Sequence, residues 1–104
     1  FIVGSAVAGG WNNPITVDPT TQEFTKVSNT LYKITIQLIG GGEYKLISVN
    51  DGSWTYQWSV ANADTLPNGG DFVFNGANCI APATSGLYDI VVNFQTGKFT
   101  VTPH

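Results

Sequence analysis

The sequence predicts an all-β protein, an antiparallel β-sandwich. Three observations point there. Apolar and polar residues alternate through Leu31–Ile39 and again through Leu87–Phe94, the period-two pattern of strands with one face buried and one wet. Clusters of Gly, Pro and Asn punctuate the chain at short intervals, which is turn chemistry. No stretch carries a convincing helical period.

Taken in order, Phe1 to Ser5 reads as a strand, and Ala8-Gly9-Gly10-Trp11-Asn12-Asn13-Pro14 as the loop after it. Trp11 is thereby placed on a loop tip or its flank. Ile15 to Thr25 is poorly patterned, with Asp18-Pro19 as a turn signal and Phe24 as an expected core anchor. In Leu31–Ile39, Tyr32, Ile34, Ile36 and Leu38 form the buried side, alternating with Lys33, Thr35 and Gln37. Gly40-Gly41-Gly42 is expected to close a hairpin into the strand Glu43–Val49. There Tyr44, Leu46 and Ser48 share one face, and Lys45, Ile47 and Val49 the other. Asn50-Asp51-Gly52-Ser53 then turns the chain and delivers Trp54. If Trp54-Thr55-Tyr56-Gln57-Trp58 is extended, its three aromatics lie on one side.

Ala61 to Gly70 reads as a polar loop, Phe72-Val73-Phe74 as a short strand and Asn75–Asn78 as a turn. Cys79 to Thr84 contains Pro82 and is expected at an edge or irregular. Tyr88, Ile90, Val92 and Phe94 make the buried face of the next strand. Gln95-Thr96-Gly97 closes a last hairpin with Lys98–Thr102, where Phe99 and Val101 point inward. About seven short strands with regularly spaced turns give a β-sandwich.

A chain of 104 residues is expected to form a single domain with a single core. Only 11 % of residues are charged, with no Met and no Arg. Such a Thr/Asn/Gly-rich composition suggests an extracellular β-domain rather than a cytosolic enzyme. The net charge is −3, and the four Lys are spread singly. Nucleic-acid binding needs a basic footprint that is missing here. Cys79 is the only cysteine, which excludes an internal disulfide and a multi-thiolate metal site; as a free thiol it reads as a small buried hydrophobe. No apolar run has the length of a membrane span. The strand-like opening Phe1-Ile2-Val3-Gly4 suggests a domain excised from something longer.

Catalytic constellations are weak. The carboxylates Asp18, Glu23, Glu43, Asp51, Asp64, Asp71 and Asp89 fall mostly in turns or on wet strand faces, and a glycosidase needs two of them facing each other across a cleft. The only histidine is His104, at the end of the sequence, so no His-based triad or metal cluster is available. No enzyme activity and no cofactor is expected.

The aromatics say more. Core packing is the ordinary fate of a Trp, and Trp58 in mid-strand alternation fits it. Trp11 and Trp54 instead stand beside Gly/Asn-rich loops. Sugars offer flat C–H faces to indole rings and hydroxyls to nearby donors and acceptors. A site of that kind wants apolar rings with a few well-placed polar groups. Lys45, Asn12, Asn50 and Asp51 are candidates for those.

The motifs, in order, resemble the carbohydrate-binding domains of SusE/SusF-type outer-membrane proteins of Bacteroidetes. The resemblance rests on three stretches. The first is Phe1-Ile2-Val3-Gly4-Ser5-Ala6 with Gly9-Gly10-Trp11-Asn12. The second is Glu43-Tyr44-Lys45-Leu46 followed by Trp54. The third is Ser85-Gly86-Leu87-Tyr88-Asp89-Ile90 with Lys98-Phe99-Thr100-Val101. It implies an immunoglobulin-like β-sandwich related to starch-binding modules, within a multidomain, lipid-anchored cell-surface protein. Such a domain binds polysaccharide for a neighbouring import system, starch or another α-glucan being the default ligand. The membrane would be reached only through an anchor outside this chain. The family's arc of two aromatics and a lysine maps onto Trp11, Trp54 and Lys45. Asn12, Asn50, Asp51 and Asn78 join the candidate site by loop position. The same resemblance admits a second reading, a ligand-free spacer or interaction domain of the same surface protein. Exposure separates the two: buried Trp11 and Trp54 would favour the spacer.

Overall fold

Two antiparallel sheets pack face to face, in a computed structural model that describes residues 1–104. The first sheet runs β1 (Ile2–Val3), β4 (Glu43–Ile47), β5 (Gln57–Ser59), β7 (Val73–Phe74), with β8 (Cys79–Ile80) also paired to β4. The second runs β2 (Thr25–Lys26), β3 (Leu31–Leu38), β9 (Gly86–Asn93), β10 (Lys98–Pro103), β6 (Gly69–Asp71). There is no α-helix; a single 3-10 turn spans Pro19–Gln22, capped by the Asp18 carboxylate accepting from the Thr20 N–H at 3.1 Å.

The alternation read from the sequence sets the core. Ile34, Ile36 and Leu38 from β3 meet Tyr88, Ile90 and Val92 from β9 and Phe99 and Val101 from β10. Ile2, Tyr44 and Leu46 face them from the first sheet. Phe94, expected inside, lies one residue past β9 and stays 39 % exposed. The Cys79 thiol is buried in the same core, and desolvation pushes its pKa up to about 12. A smaller cluster, Val3, Ile15 and Ile47, lies apart from this core. Its strand residues occupy the opposite face of β1 and β4, so Ile15 closes the outer side of the first sheet.

Three expectations need correction. Gly40–Gly42 does not close a hairpin, because β3 and β4 belong to different sheets. The segment is a corner in which Gly41 takes a positive φ of 71° and Gly40 and Gly42 answer to close approach. A Cβ on Gly40 would lie 2.2 Å from the Ala83 carbonyl oxygen, and one on Gly42 would lie 2.6 Å from Ala6 Cα. Second, Phe72–Phe74 is not one strand. The chain leaves the second sheet after Asp71 and enters the first at Val73, so Phe72 is the crossing point. Third, regular strand geometry begins at Gln57, so Trp54 is released from the face that Tyr56 and Trp58 occupy.

Candidate functional site

That release puts Trp54 beside Trp11. The two ring centroids are 6.4 Å apart with planes tilted by 48°, and the residues are 37 % and 39 % exposed. With Lys45, Gln57 and Asn78 they line an open surface hollow of about 420 Å³. The sequence had nominated four of these five residues, and the structure brings the four together.

Pairing registers explain how the strand residues arrive. Leu46 opposes Trp58 and Ile47 opposes Gln57 across β4 and β5, so Lys45 and Gln57 project from the same face, away from the main core. The Lys45 ammonium donates to Gln57 Oε1 at 2.7 Å, and Gln57 Nε2 donates to the Trp54 carbonyl at 3.2 Å. An ammonium has three N–H donors, so this bond leaves Lys45 with donors to spare while fixing where it sits. Gln57 was missed in the sequence, where it read only as the polar step between two aromatics.

The loops that carry the indoles are tied to each other. Asn13 Nδ2 donates to the Ser53 carbonyl at 2.8 Å, and Asn13 Oδ1 accepts from the Gly52 N–H at 3.0 Å. From the other side, Asn50 Oδ1 accepts from the Ile15 N–H at 2.7 Å. Deeper down, the buried Gln22 accepts from the Gly9 N–H at 2.8 Å and donates to the Ile2 carbonyl at 2.8 Å. The Trp11 loop is thus pinned to β1 at its start and to the Trp54 turn at its end. Asn13, also missed in the sequence, makes two of the bonds to the Trp54 turn.

The remaining polar candidates divide accordingly. Asn12 turns its amide into its own loop, donating to the Gly9 carbonyl at 2.9 Å and to Thr16 Oγ1 at 3.2 Å. Asp51 caps its turn by accepting from the Ser53 N–H at 2.8 Å. With Asn50 engaged by Ile15, these three shape the loops and do not line the hollow. Asn78 does line it. Next to Asn78, the Glu43 carboxyl is held above its ordinary range, first by the facing Asp64 carboxyl, with which it hydrogen-bonds when one of them holds a proton; the Asn78 amide pulls the other way.

A larger cleft of about 500 Å³ opens at the rim of the two sheets, lined among others by Phe24, Tyr32, Leu46, Trp58 and Phe94. It shares no residue with the hollow. The Trp58 indole N–H there already donates to Ser48 Oγ at 3.1 Å, and the ring packs edge-on to Phe94 at 5.1 Å. The lining is mostly apolar, with Glu23, Asn29 and Ser48 as its polar side chains. No residues cluster as a metal-binding group.

Fold and hollow together define a β-sandwich with a surface recess flanked by two indoles and lined by an amine and two amides. No family model, curated protein or solved structure matches the chain.

Proposed function

We propose that this chain is a non-catalytic glycan-binding module whose ligand is a polysaccharide, starch or another α-glucan being the first candidate. The observation that carries the reading is the exposed, tilted pair Trp11–Trp54 with the Lys45 ammonium beside it. Two indoles set at an angle fit consecutive rings of a curved sugar chain better than a flat one. Lys45 and Asn78 then supply donors to ring hydroxyls. The cross-loop bonds of Asn13 and Asn50 hold the rings in place before ligand arrives, which lowers the ordering cost of binding. Partial exposure of both indoles favours binding over the spacer alternative, in which nothing requires large rings at the surface.

By its resemblance, the module belongs in a lipid-anchored outer-membrane protein, and other proteins of a glycan-import complex would be its neighbours.

The test is tryptophan fluorescence titrated with maltoheptaose and soluble starch, on the parent and on Trp54→Ala. Truncating a central Trp costs about 2 kcal/mol at a binding surface, so Kd should rise about thirtyfold. A saturable response that Trp54→Ala leaves intact would sink the site; no response to any polysaccharide in a panel would favour the spacer.

A further inference from the structure

Trp11 and Trp54 have a counterpart elsewhere on the same sheet. The rings of Tyr56 and Phe74 stand 6.4 Å apart with planes tilted by 49°, against 6.4 Å and 48° for the two indoles. Tyr56 is 58 % exposed and Phe74 46 %.

The ladders place this second pair on the other face of the strands. Phe74 opposes Trp58 across β5 and β7, and Trp58 opposes Leu46 across β4 and β5. Directly opposed residues share a face, so Phe74 lies on the Leu46 side, opposite Lys45 and Gln57. The Ser48 N–H donates to the Tyr56 carbonyl at 3.0 Å, which carries the ladder one step beyond β5 and brings Tyr56 to the same side as Trp58. β7 is the edge strand of its sheet, and both rings emerge there.

They are also held from behind. Phe74 packs edge-on to Trp58 at 4.9 Å, and Trp58 is wedged against Phe72 at 6.0 Å and Phe94 at 5.1 Å. Ser48 Oγ fixes the Trp58 ring through its indole N–H. A platform backed this way loses little freedom when a ligand lands on it. Beside it, the exposed Asn75 brings an amide within one residue of Phe74, its backbone N–H anchored to the Gln57 carbonyl at 3.0 Å.

We propose that Tyr56 and Phe74, with Asn75, form a second glycan-binding surface for another stretch of the same class of polysaccharide; this rests on the glycan reading of the Trp11–Trp54 hollow. The two pairs share spacing and tilt, so each offers a curved sugar chain two ring faces set at an angle. Size argues against a protein partner. Two half-exposed rings present roughly 200 Å², well short of the ~800 Å² per partner of a stable protein interface. With ring pairs on opposite faces, one module can hold two chains of a glycan or two stretches of one chain, and avidity follows.

The experiment is calorimetric titration with maltoheptaose, paired with retardation in a gel containing soluble starch to capture weak binding. The proteins are the parent, Tyr56→Ala, Phe74→Leu, Trp54→Ala and Tyr56→Ala/Trp54→Ala. The parent should bind two equivalents. Tyr56→Ala and Phe74→Leu should each remove one equivalent and leave the other's Kd within about twofold, while gel retardation drops. Tyr56 is exposed enough for its truncation to leave folding intact, and near-ultraviolet circular dichroism checks this. A single equivalent, with retardation unchanged in Tyr56→Ala and lost in Trp54→Ala, overturns the second surface and leaves the hollow standing. The converse pattern removes the hollow and leaves Tyr56–Phe74 as the site. Loss of all binding in either single variant means one composite site and overturns the two-surface proposal. No binding by the parent to maltoheptaose, starch, xylan, mannan or β-glucan overturns both.

Discussion

Asn13→Ala isolates the clamp between the two indole loops without touching either ring. It deletes the part-buried bond to the Ser53 carbonyl and the exposed bond from the Gly52 N–H. A neutral hydrogen bond is worth about 0.5–1.5 kcal/mol net; with the exposed one at the low end, the pair contributes about 1.5 kcal/mol. For a domain of this size, each kcal/mol moves Tm by roughly 4–5 °C, so Tm should fall by about 6 °C if the loops melt with the core. If they open locally instead, Tm stays high and the loss appears only in the loops. A second readout covers that case. Two indoles 6.4 Å apart and tilted by 48° couple as excitons and give a paired band in far-ultraviolet circular dichroism. The band is assigned by its loss in Trp54→Phe. Asn13→Ala should weaken it at 25 °C, well below the melt, and should lower glycan affinity with both indoles still present. Asn13→Asp keeps the acceptor for Gly52 but sets a carboxylate against the Ser53 carbonyl, so it should not rescue. An Asn13→Ala protein with parental Tm, parental exciton band and parental affinity would refute the clamp.

Other features make separate predictions. Asp89 is held below the ordinary carboxylate range, first by the Thr35 hydroxyl and next by His104; its folded state therefore releases the proton more readily than the unfolded chain. The stability it lends is present above the ordinary Asp value and is lost as pH falls through its lowered pKa, so the Tm gap between parent and Asp89→Asn should narrow on acidification below the ordinary Asp value. A gap that does not narrow on acidification contradicts this. Cys79, with its thiol pushed up to about 12 by burial, should resist a disulfide reagent at pH 8, where only about one part in 10⁴ is thiolate, and should react promptly once denaturant unfolds the chain; fast labelling of folded protein would refute its burial. Leu38 is fully buried where β3 meets the core, so Leu38→Ala should cost about 2–5 kcal/mol in urea denaturation, and a cost below 1 kcal/mol would mean that the packing there is looser than described.

The sandwich was legible because its long strands are half-buried. In β3 and β9 every second residue must be apolar, and a period of two survives in sequence without help from neighbours. The corner at Gly40–Gly42 was not legible. A glycine run between two strands reads as a hairpin unless it is known that Ala6 and Ala83 press against it, and those contacts are far away in sequence. The crossing at Phe72 was hidden for the same reason, since three apolar-rich residues look like one strand until Asp71 pairs with Lys98 and Val73 with Ser59.

In the candidate site, the lining was easier to read than its support. A large ring beside Gly and Asn stands out against the expectation of burial, so Trp11 and Trp54 were visible from composition around them. Asparagines in the same loops cannot be sorted that way. Asn12, Asn13, Asn50 and Asn78 all look alike in sequence, yet Asn12 closes its own loop, Asn13 and Asn50 join two loops from separate parts of the chain, and Asn78 lines the hollow. The difference lies in which backbone N–H or carbonyl the fold leaves unpaired nearby, and each such group must find a partner. Ile15 and Gly52 donate to asparagine oxygens, and the Ser53 carbonyl accepts from an asparagine amide. The spacing of Trp11 and Trp54 therefore depends on asparagine bonds that join their loops. Selectivity for ligand curvature should accordingly shift with Asn13 and Asn50, while affinity at fixed geometry should follow the rings and Lys45.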